Sequence, residues 1–248
     1  MSRLLATLLL CVCAFVPAAA AQERTPIVVE LYTSQGCDSC PRANRLMGRV
    51  AQEDGVLALT FPVDYWDYLG WRDTFAQPAF TARQRAYVQA LRARSLFTPQ
   101  LVYNGIATEP GARPERLREM IDQMRTDAPD DGPDIDLRMQ RHGLRVAVGR
   151  GPAQRLAADI WVVSFDPGPV YADVDAGENA GVRVPHYNLV ERIARLGGWN
   201  GQPVSFSRTR CQPTCAVLVQ APHGGPVLAA ARLAPAPPTP PEEVASTP

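Results

Sequence analysis

Two cysteines, Cys37 and Cys40, have the spacing that thiol–disulfide exchange requires. They follow a β-branched, apolar run that begins at Ile27 and breaks at Gly36, and apolar residues recur at helical spacing over 42–50. The pattern predicts a strand, a turn and a helix, with Cys37 at the N-terminal end of the helix. Unpaired N–H groups and the helix dipole stabilise a thiolate there. We therefore predict Cys37 as an exposed attacking thiol and Cys40 as the thiol that resolves the mixed disulfide.

The C-x-x-C spacing also occurs in sites of other kinds, and the residues alone do not separate them. Structural disulfides and zinc sites use the same spacing, and a zinc site would need two further ligands. Cys211 and Cys215 form another close pair, but a site of four thiolates is disfavoured in an oxidising compartment. Cu(I) prefers soft thiolates and is the metal that a non-catalytic binding module would hold here. For the exchange reaction itself we expect no organic cofactor and no metal.

A second motif lies downstream, where Thr98-Pro99 runs directly into an apolar strand that ends in an Asn104-Gly105 hairpin turn. This arrangement resembles the cis-proline loop of the thioredoxin superfamily, which faces the C-x-x-C pair and lends backbone groups to the substrate. The trans preference of an X–Pro bond is only about 0.5–1 kcal/mol, so a fold can hold one in the cis form. The resemblance implies that Thr98 and Pro99 bind substrate and that residues 26–126 form a thioredoxin-like domain.

Three further side chains are candidates for the same site. Asp64 and Trp66 follow a second predicted strand, residues 55–61, near the end of the sheet where Cys37 is expected. They could bind a peptide or sugar, or the aromatic segment could instead pack against the second domain. Glu30 resembles the buried acid of thioredoxins and is predicted to relay a proton to the second cysteine. The alternative for Glu30 is an outward-facing carboxylate on a strand.

The N-terminal segment predicts the compartment. Residues 1–21 have the pattern of a signal peptide, with a short positive start, an apolar run and small residues for cleavage. A retained membrane anchor is the alternative, but the apolar run is short for a bilayer. We expect a periplasmic or secreted protein with no stable membrane span after cleavage. In such a compartment Cys211 and Cys215 are predicted to close a structural disulfide, with a second redox pair or metal site as the alternative.

Charge excludes some classes of partner. The chain has 25 Lys and Arg residues against 25 Asp and Glu residues, so the formal net charge is zero. This balance argues against nucleic acid as the main partner. Apart from three histidines the basic residues are all arginine, which excludes Schiff-base chemistry on a lysine. The expected partners are protein thiols or disulfides, or a redox partner protein.

The residue pattern of the chain changes at residues 127–134, an acidic, Pro- and Gly-rich segment that is predicted to be a linker. Helices are predicted before it at Pro78–Arg94 and Pro114–Arg125. Beyond it, short apolar runs separated by Gly and Pro predict an all-β, sandwich-like domain over 135–233. Asn188–Leu196 also fits a helical period and is ambiguous. Residues 177–181 have the composition of a turn, and the Pro-rich segment 234–248 is predicted to be a disordered tail.

Three stretches together resemble a known family: 29–41 (VELYTSQGCDSCP), 63–71 (VDYWDYLGW), and 177–181 (GENAG) followed by 186–190 (HYNLV). They look like those of secreted bacterial proteins that carry a thioredoxin-like domain followed by a β-rich domain, classed as a domain of unknown function. The first stretch also resembles the opening of glutaredoxins. The resemblance implies an α/β thioredoxin-like domain followed by an all-β, sandwich-like domain.

Overall fold

The computed structural model describes residues 25–111, 113–127, 132–151 and 157–233. The predicted signal peptide and the predicted Pro-rich tail lie outside these residues. Within them the chain forms three α-helices, one short 3₁₀ helix and thirteen strands. The helices are α1 Cys40–Val50, α2 Pro78–Ala90, α3 Pro114–Asp127 and the 3₁₀ helix Asp67–Leu69. The strands are β1 Ile27–Thr33, β2 Val56–Pro62, β3 Gln100–Tyr103, β4 Ala107–Pro110, β5 Ile135–Gln140, β6 Gly143–Val148, β7 Ala158–Asp166, β8 Val170–Val174, β9 Val182–His186, β10 Leu189–Trp199, β11 Val204–Thr209, β12 Thr214–Gln220 and β13 Val227–Arg232.

The fold is organised by one eight-stranded sheet in the order β13-β12-β7-β10-β2-β1-β3-β4. Strands β1 and β2 are parallel, whereas β3 runs antiparallel to β1 and β4 antiparallel to β3. Every residue of β1 and β2 is buried, as expected for strands that are covered on both faces. An α/β part is therefore followed by a β-rich part, and both contribute to the same sheet.

The helices cover the two faces of β1. Val29 and Leu31 pack with α1 and α3 on one face, and Val28 and Tyr32 pack with α2 on the other, since alternate strand residues face opposite sides. Pro41 in the first turn of α1 suits a position whose N–H has no helical partner. The residues of α1 that face the sheet recur at helical spacing and are Ala43, Leu46, Met47 and Val50.

Strands β2 and β10 join the two parts of the chain. Leu189 of β10 lies opposite Thr60 of β2 in a parallel pairing. Thr60 donates twice across this joint, from its backbone N–H to Asn188 O at 2.9 Å and from its hydroxyl to Tyr187 O at 2.7 Å. The Asn188 side-chain amide donates to Ala58 O at 2.7 Å. Asn188 has a φ of 44°, in the left-handed region that Asn tolerates better than most residues.

The β-rich part departs from the predicted separate sandwich. Strands β7, β10, β12 and β13 extend the main sheet, while β11, β6 and β5 form a small three-stranded sheet. The small sheet packs on the large one through apolar residues that include Val146, Ile160 and Val217. This packing is sandwich-like, but the larger sheet is shared with the α/β part. The physical reason is that β2 is buried on both faces and needs a strand on its second edge, which β10 supplies.

Strands β8 and β9 form a two-stranded hairpin that stands outside both larger sheets. The chain just after this hairpin lies on α1: a Cβ built on Gly48 would come within 2.6 Å of the Tyr187 ring. Gly48 therefore lets the tyrosine ring lie directly against the helix backbone. Because α1 begins at Cys40, this contact brings the hairpin to the helix that carries the cysteine pair.

A buried ion pair connects β1 with α2. Arg83 donates to Glu30 from Nε and Nη2 at 2.8 and 2.7 Å, and the side chains are 8% and 1% exposed. The hydroxyls of Tyr32 and Tyr87 each donate to the Glu30 carboxylate at 2.7 Å. The Gln220 amide of β12 donates to the Tyr87 hydroxyl at 2.9 Å. The network thus connects β1, α2 and the β-rich part.

Replacing Arg83 with Met is expected to lower the free energy of unfolding by about 3–5 kcal/mol, because it leaves the Glu30 carboxylate buried without its counter-charge. The double variant Arg83→Met, Glu30→Gln is expected to lose less, since burying a neutral amide costs less than burying an unpaired carboxylate and its one oxygen can still accept from one tyrosine hydroxyl. Urea unfolding followed by circular dichroism measures both. Arg138→Met, which removes an ion pair with Asp136 that is exposed on both sides, is the matched control and should change little. A double variant no more stable than the single one would contradict the prediction.

His186, at the end of β9, is expected to make stability depend on pH. It is fully buried beside the edge of Phe75, and neither ring nitrogen has a hydrogen-bond partner among the described residues. Burial lowers the pKa of His186 from 6.5 to about 4, against a smaller raising effect of nearby Val184 and Val170 backbone groups. Between pH 4 and pH 6.5 the unfolded chain binds the histidine proton more tightly than the folded chain does. This histidine therefore leaves the free energy of unfolding unchanged above pH 6.5 and lowers it as the pH drops towards 4.

The lowering of the His186 pKa corresponds to about 3 kcal/mol at pH 4. His186→Leu, which has no titrating group, is expected to lose less stability than the wild type when the pH falls from 7 to 4. The difference between the two proteins in urea midpoint across this range isolates the histidine from other titrating groups. Parallel curves for the two proteins would overturn the prediction.

Candidate active site

The C-x-x-C pair lies in the loop of residues 34–39 and the first residue of α1. Cys37 and Cys40 form a disulfide with their Cα atoms 5.4 Å apart, and the Cys40 N–H donates to Cys37 O at 3.1 Å. We call residues 34–39 the dithiol loop. Cys40 is thus the first residue of the helix, and Ser39 occupies its N-cap without a side-chain hydrogen bond to the backbone. The predicted strand, turn and helix are present in the predicted order.

The sequence prediction of an exposed attacking sulfur is wrong for this state of the chain. Cys37 is 1% exposed and Cys40 is fully buried. Their neighbours Asp38 and Ser39 are exposed, so the loop reaches the surface while its sulfur atoms do not. The burial comes from segments distant in the sequence that pack on the dithiol loop, and a pattern of local residue types does not report such contacts.

One such segment includes Asp73, which sequence reasoning missed. The Asp73 carboxylate accepts from the backbone N–H of Gln35 at 2.7 Å, and from those of Phe75 and Ala76 at 2.9 and 3.1 Å. Burial raises the pKa of Asp73 to about 6, against the opposing effect of these three donors. The Gln35 side chain accepts from the Trp71 indole N–H at 2.9 Å. The segment after β2 therefore fixes the dithiol loop two residues before Cys37.

A second segment is the turn between β8 and β9, residues 175–181, which we call the hairpin turn. The Asn179 amide donates to the backbone carbonyls of Gln35 and Cys37, both at 2.8 Å. Glu178 accepts from the Asp38 N–H at 3.4 Å. The sequence predicted only a turn here, and that turn is present. Its contact with Cys37 was missed because the two residues are 142 positions apart and nothing in their types signals the contact.

Trp66 and Thr98 lie near each other beside Tyr65. Burial raises the pKa of Tyr65, and the nearby Gln84, Thr98 and Trp66 side chains oppose this effect. Among the described residues, four buried atoms here have no hydrogen-bond partner: Tyr65 Oη, Trp66 Nε1, Gln84 Oε1 and Thr98 Oγ1. A Cβ built on Gly36 would lie 3.4 Å from Trp66 Cβ, so the group adjoins the dithiol loop. The Thr98–Pro99 peptide bond is cis and Pro99 is buried.

Two predicted site residues lie in other surroundings. Asp64 accepts from the Thr81 hydroxyl at 2.6 Å and so links the segment after β2 to α2. Glu30 has its carboxylate occupied by Arg83 and two tyrosine hydroxyls, which makes it an anchor between β1 and α2. Its role as a proton relay stays a prediction, as does substrate binding by Asp64.

Cys211 and Cys215 form a second disulfide, with Cα atoms 5.4 Å apart, which links the segment after β11 to β12. Both are buried and pack with the apolar residues between the two stacked sheets. Within the described parts of the chain, no group of three or more His, Cys, Asp or Glu residues is arranged to hold a metal ion. None of the helices in those parts has the length and apolar character needed to cross a membrane.

Asp73→Asn is expected to loosen the dithiol loop, because an amide has one acceptor oxygen and cannot accept from Gln35 on one side and from Phe75 and Ala76 on the other. Losing the Gln35 bond should cost about 1–3 kcal/mol locally, seen as a roughly 5- to 150-fold faster hydrogen exchange of the Gln35 amide. Asp122→Asn on the exposed side of α3 is the control. Unchanged Gln35 exchange in Asp73→Asn would contradict the assignment.

Comparison with solved structures gives two relatives of this fold. Protein AGR_C_4864 from Agrobacterium tumefaciens is 28% identical, with a TM-score of 0.71, over 86% of this chain and 96% of that one. HBP35 of Porphyromonas gingivalis is 16% identical, with a TM-score of 0.58, over 91% of this chain and 80% of that one. At this lower identity the second match is a likeness of fold alone.

Comparison of sequences gives a short match and a long one. A protein named Probable Thioredoxin, from Archaeoglobus fulgidus, is 42% identical over 38 residues, which are 15% of this chain and 42% of that protein. The match thus spans less than half the length of that relative. The family model described as Protein of unknown function (DUF1223) matches residues 28–220. That range includes the C-x-x-C pair, the joint between β2 and β10 and the hairpin turn, and the chain belongs to the DUF1223 family.

Proposed function

We propose that this chain is an extracytoplasmic thiol–disulfide oxidoreductase that uses Cys37 and Cys40. The observation that carries the proposal is that the two cysteines close a disulfide at the N-terminal end of α1. A helix N-terminus presents unpaired N–H groups and the positive end of the helix dipole, and both stabilise a thiolate. A thiolate stabilised in this way is the form that attacks disulfides and leaves from them.

The reaction needs no group beyond the two thiols and a substrate disulfide. The Cys37 thiolate attacks one substrate sulfur, the substrate S–S bond breaks, and the other substrate sulfur leaves as a thiolate that takes up a proton. The Cys40 thiolate then attacks Cys37 Sγ, which releases the first substrate sulfur as a second thiolate, also protonated. Two electrons pass from the cysteine pair to the substrate, and the pair returns to the disulfide seen in the structure. The reverse sequence oxidises a substrate dithiol.

We assign the α/β part to a thioredoxin-like domain. The order β2-β1-β3-β4, with two helices on one face and one on the other, supports this assignment. The short match to a protein named Probable Thioredoxin also supports it. Within this domain Thr98, Pro99 and Trp66 are the residues proposed to contact substrate, since Trp66 and Thr98 both lie beside Tyr65 and Trp66 adjoins the dithiol loop. The substrate class is a protein disulfide or dithiol, or a redox partner protein.

A periplasmic or secreted location is part of the proposal. The N-terminal pattern of a signal peptide supports it. The second disulfide, Cys211–Cys215, supports it as well, because disulfides persist in oxidising compartments and are rare in reducing ones.

A second function is favoured by one observation, the burial of both sulfur atoms. A disulfide that is structural resists reduction, and the chain would then be a non-catalytic binding module on a thioredoxin scaffold, for a cell-envelope ligand. In the copper-binding form of this second function, the reduced thiolates of Cys37 and Cys40 hold Cu(I). The midpoint potential of the Cys37–Cys40 pair separates the two functions.

The redox state of each pair can be followed separately in the whole protein. Cleavage after arginine places the pairs in different peptides, since Arg42 and Arg210 lie between them. The protein is equilibrated in glutathione and dithiothreitol buffers with metal chelated, alkylated, cleaved and weighed by mass spectrometry. We expect a Cys37–Cys40 midpoint between about −120 and −270 mV, the range of known exchange proteins.

The Cys37→Ser, Cys40→Ser double variant is the control for the peptide assignment and for Cu(I) binding. A midpoint below about −300 mV, the range of structural disulfides, would overturn the proposal and leave the binding module. Tight Cu(I) binding by a pair that forms no disulfide, lost in the double variant, would overturn it in favour of copper.

A further inference from the structure

The sulfur atoms of the Cys37–Cys40 pair are buried although exchange requires a substrate sulfur to reach one of them. Reaction at a disulfide depends on access as well as on the potential of the pair. The loop itself is at the surface, because Asp38 and Ser39 are exposed. The segments that pack on it therefore decide whether Cys37 can react. The hairpin turn is the one that comes from the β-rich part of the chain.

Asn179 is the residue through which the hairpin turn holds the dithiol loop. It is 4% exposed, and it is the only buried residue of the described turn 175–181. Its side-chain amide uses both N–H groups, one for the carbonyl of Gln35 and one for the carbonyl of Cys37 itself. A buried amide with both donors satisfied by the backbone of one loop fixes that loop relative to the turn.

The hairpin turn is attached mainly by polar contacts. Asp175, Gly177, Glu178, Ala180 and Gly181 are exposed, so the turn buries little apolar surface. The two strands of the hairpin pair only with each other, but their Val174 and Val184 side chains are buried, so the weakly attached part is the turn itself. Segments with few buried apolar contacts open at a lower free energy than the core of a protein. The turn can thus move while the main sheet stays folded.

We propose that Asn179 is a positioning residue for the Cys37–Cys40 pair and that the hairpin turn is a cover which must move before a substrate sulfur reaches Cys37. In the closed state Asn179 fixes the loop carbonyls on both sides of Gly36. In the open state the Gln35 carbonyl is released, and the Cys37 carbonyl keeps only its bond from the Cys40 N–H, so the backbone of an incoming substrate chain can donate to both carbonyls in place of Asn179. The nature of the substrate in this inference rests on the proposed function. Whether the hairpin turn limits access to Cys37 does not depend on that function.

The test is the rate at which a phosphine reductant, tris(2-carboxyethyl)phosphine, reduces each pair in the whole oxidised protein, followed by alkylation and mass spectrometry. Asn179→Ala removes both hydrogen bonds, and Asn179→Asp keeps the shape while removing both donors. Each is expected to speed reduction of Cys37–Cys40 about tenfold, which corresponds to about 1.4 kcal/mol. Glu178→Ala, which removes one exposed contact, should give a smaller increase of about two- to threefold.

The Cys211–Cys215 pair is the internal control, because it is buried in another part of the same molecule. Its rate should be unchanged in all three variants. Asn200→Ala, in an exposed turn away from the site, should leave both rates at the wild-type value. An equal increase at both pairs in Asn179→Ala would mean general destabilisation and would overturn the inference. No increase at Cys37–Cys40 in either Asn179 variant would also overturn it.

Failure of the cover and failure of the proposed function give different results. The cover is tested by a ratio of reduction rates with an excess of strong reductant, whereas the function is tested by an equilibrium midpoint. A midpoint below about −300 mV with a pair-selective effect of Asn179 would reject the oxidoreductase and keep the cover. A midpoint in the range of exchange proteins, with no effect of the Asn179 variants on the reduction rate, would support the oxidoreductase and reject the cover.

Discussion

The joint between β2 and β10 is the interaction on which the rest of the structure depends. Thr60 makes two hydrogen bonds across it and Asn188 a third, and all of them involve backbone groups that would otherwise lie unpaired at a buried edge. Because leaving such groups unpaired is costly, the joint fixes where the β-rich part sits. Tyr187, between His186 and Asn188, then lies against α1, and the preceding hairpin reaches the dithiol loop.

The buried ion pair reinforces this arrangement from the opposite face of the sheet. Glu30 and Arg83 lose most of their hydration on burial, and their mutual attraction offsets this only because the tyrosine hydroxyls complete the carboxylate's hydrogen bonds. Through Tyr87 and Gln220 the same network reaches β12. Helix α2 is thus held against both parts of the chain, and relative movement of the two parts would break buried polar contacts.

Local signals in the sequence predicted the local parts of this fold. Gly36 and Pro41 mark the turn and the start of α1, and Asn104-Gly105 forms the predicted hairpin turn, with φ values of 45° and 68°. The short apolar runs after residue 134 also predicted that this part of the chain forms strands. Asn188–Leu196 could not be decided from periodicity, because its pattern fits a helix and a strand. The open edge of β2, a tertiary contact, makes it a strand.

The surroundings of the cysteine pair could not be predicted for the same reason. The C-x-x-C motif and its helix are one continuous stretch, so residue types and spacing report them. Asp73 and Asn179 lie 38 and 144 residues from Gln35, whose backbone they hold from two sides. An Asp in a loop and an Asn in a Gly-bounded turn are common for local reasons, so neither type signals a distant partner. The prediction of an exposed Cys37 failed because it used only the residues next to Cys37, whereas Asp73 of the α/β part and Asn179 of the β-rich part both hold its loop.

The residues that hold the dithiol loop also bury Cys37, whereas the proposed exchange reaction requires that a substrate reach its sulfur. Exchange requires a sulfur that a substrate can reach, while a loop between a strand and a helix is best held in one geometry by hydrogen bonds to its backbone. Asp73 holds Gln35 from the α/β part itself, whereas Asn179 holds it from a hairpin outside the main sheet. Moving the hairpin turn would remove the Asn179 hydrogen bond to the Cys37 carbonyl and leave the Asp73 contact in place. The loop could therefore keep its geometry in the open state, because its two supports belong to different parts of the fold.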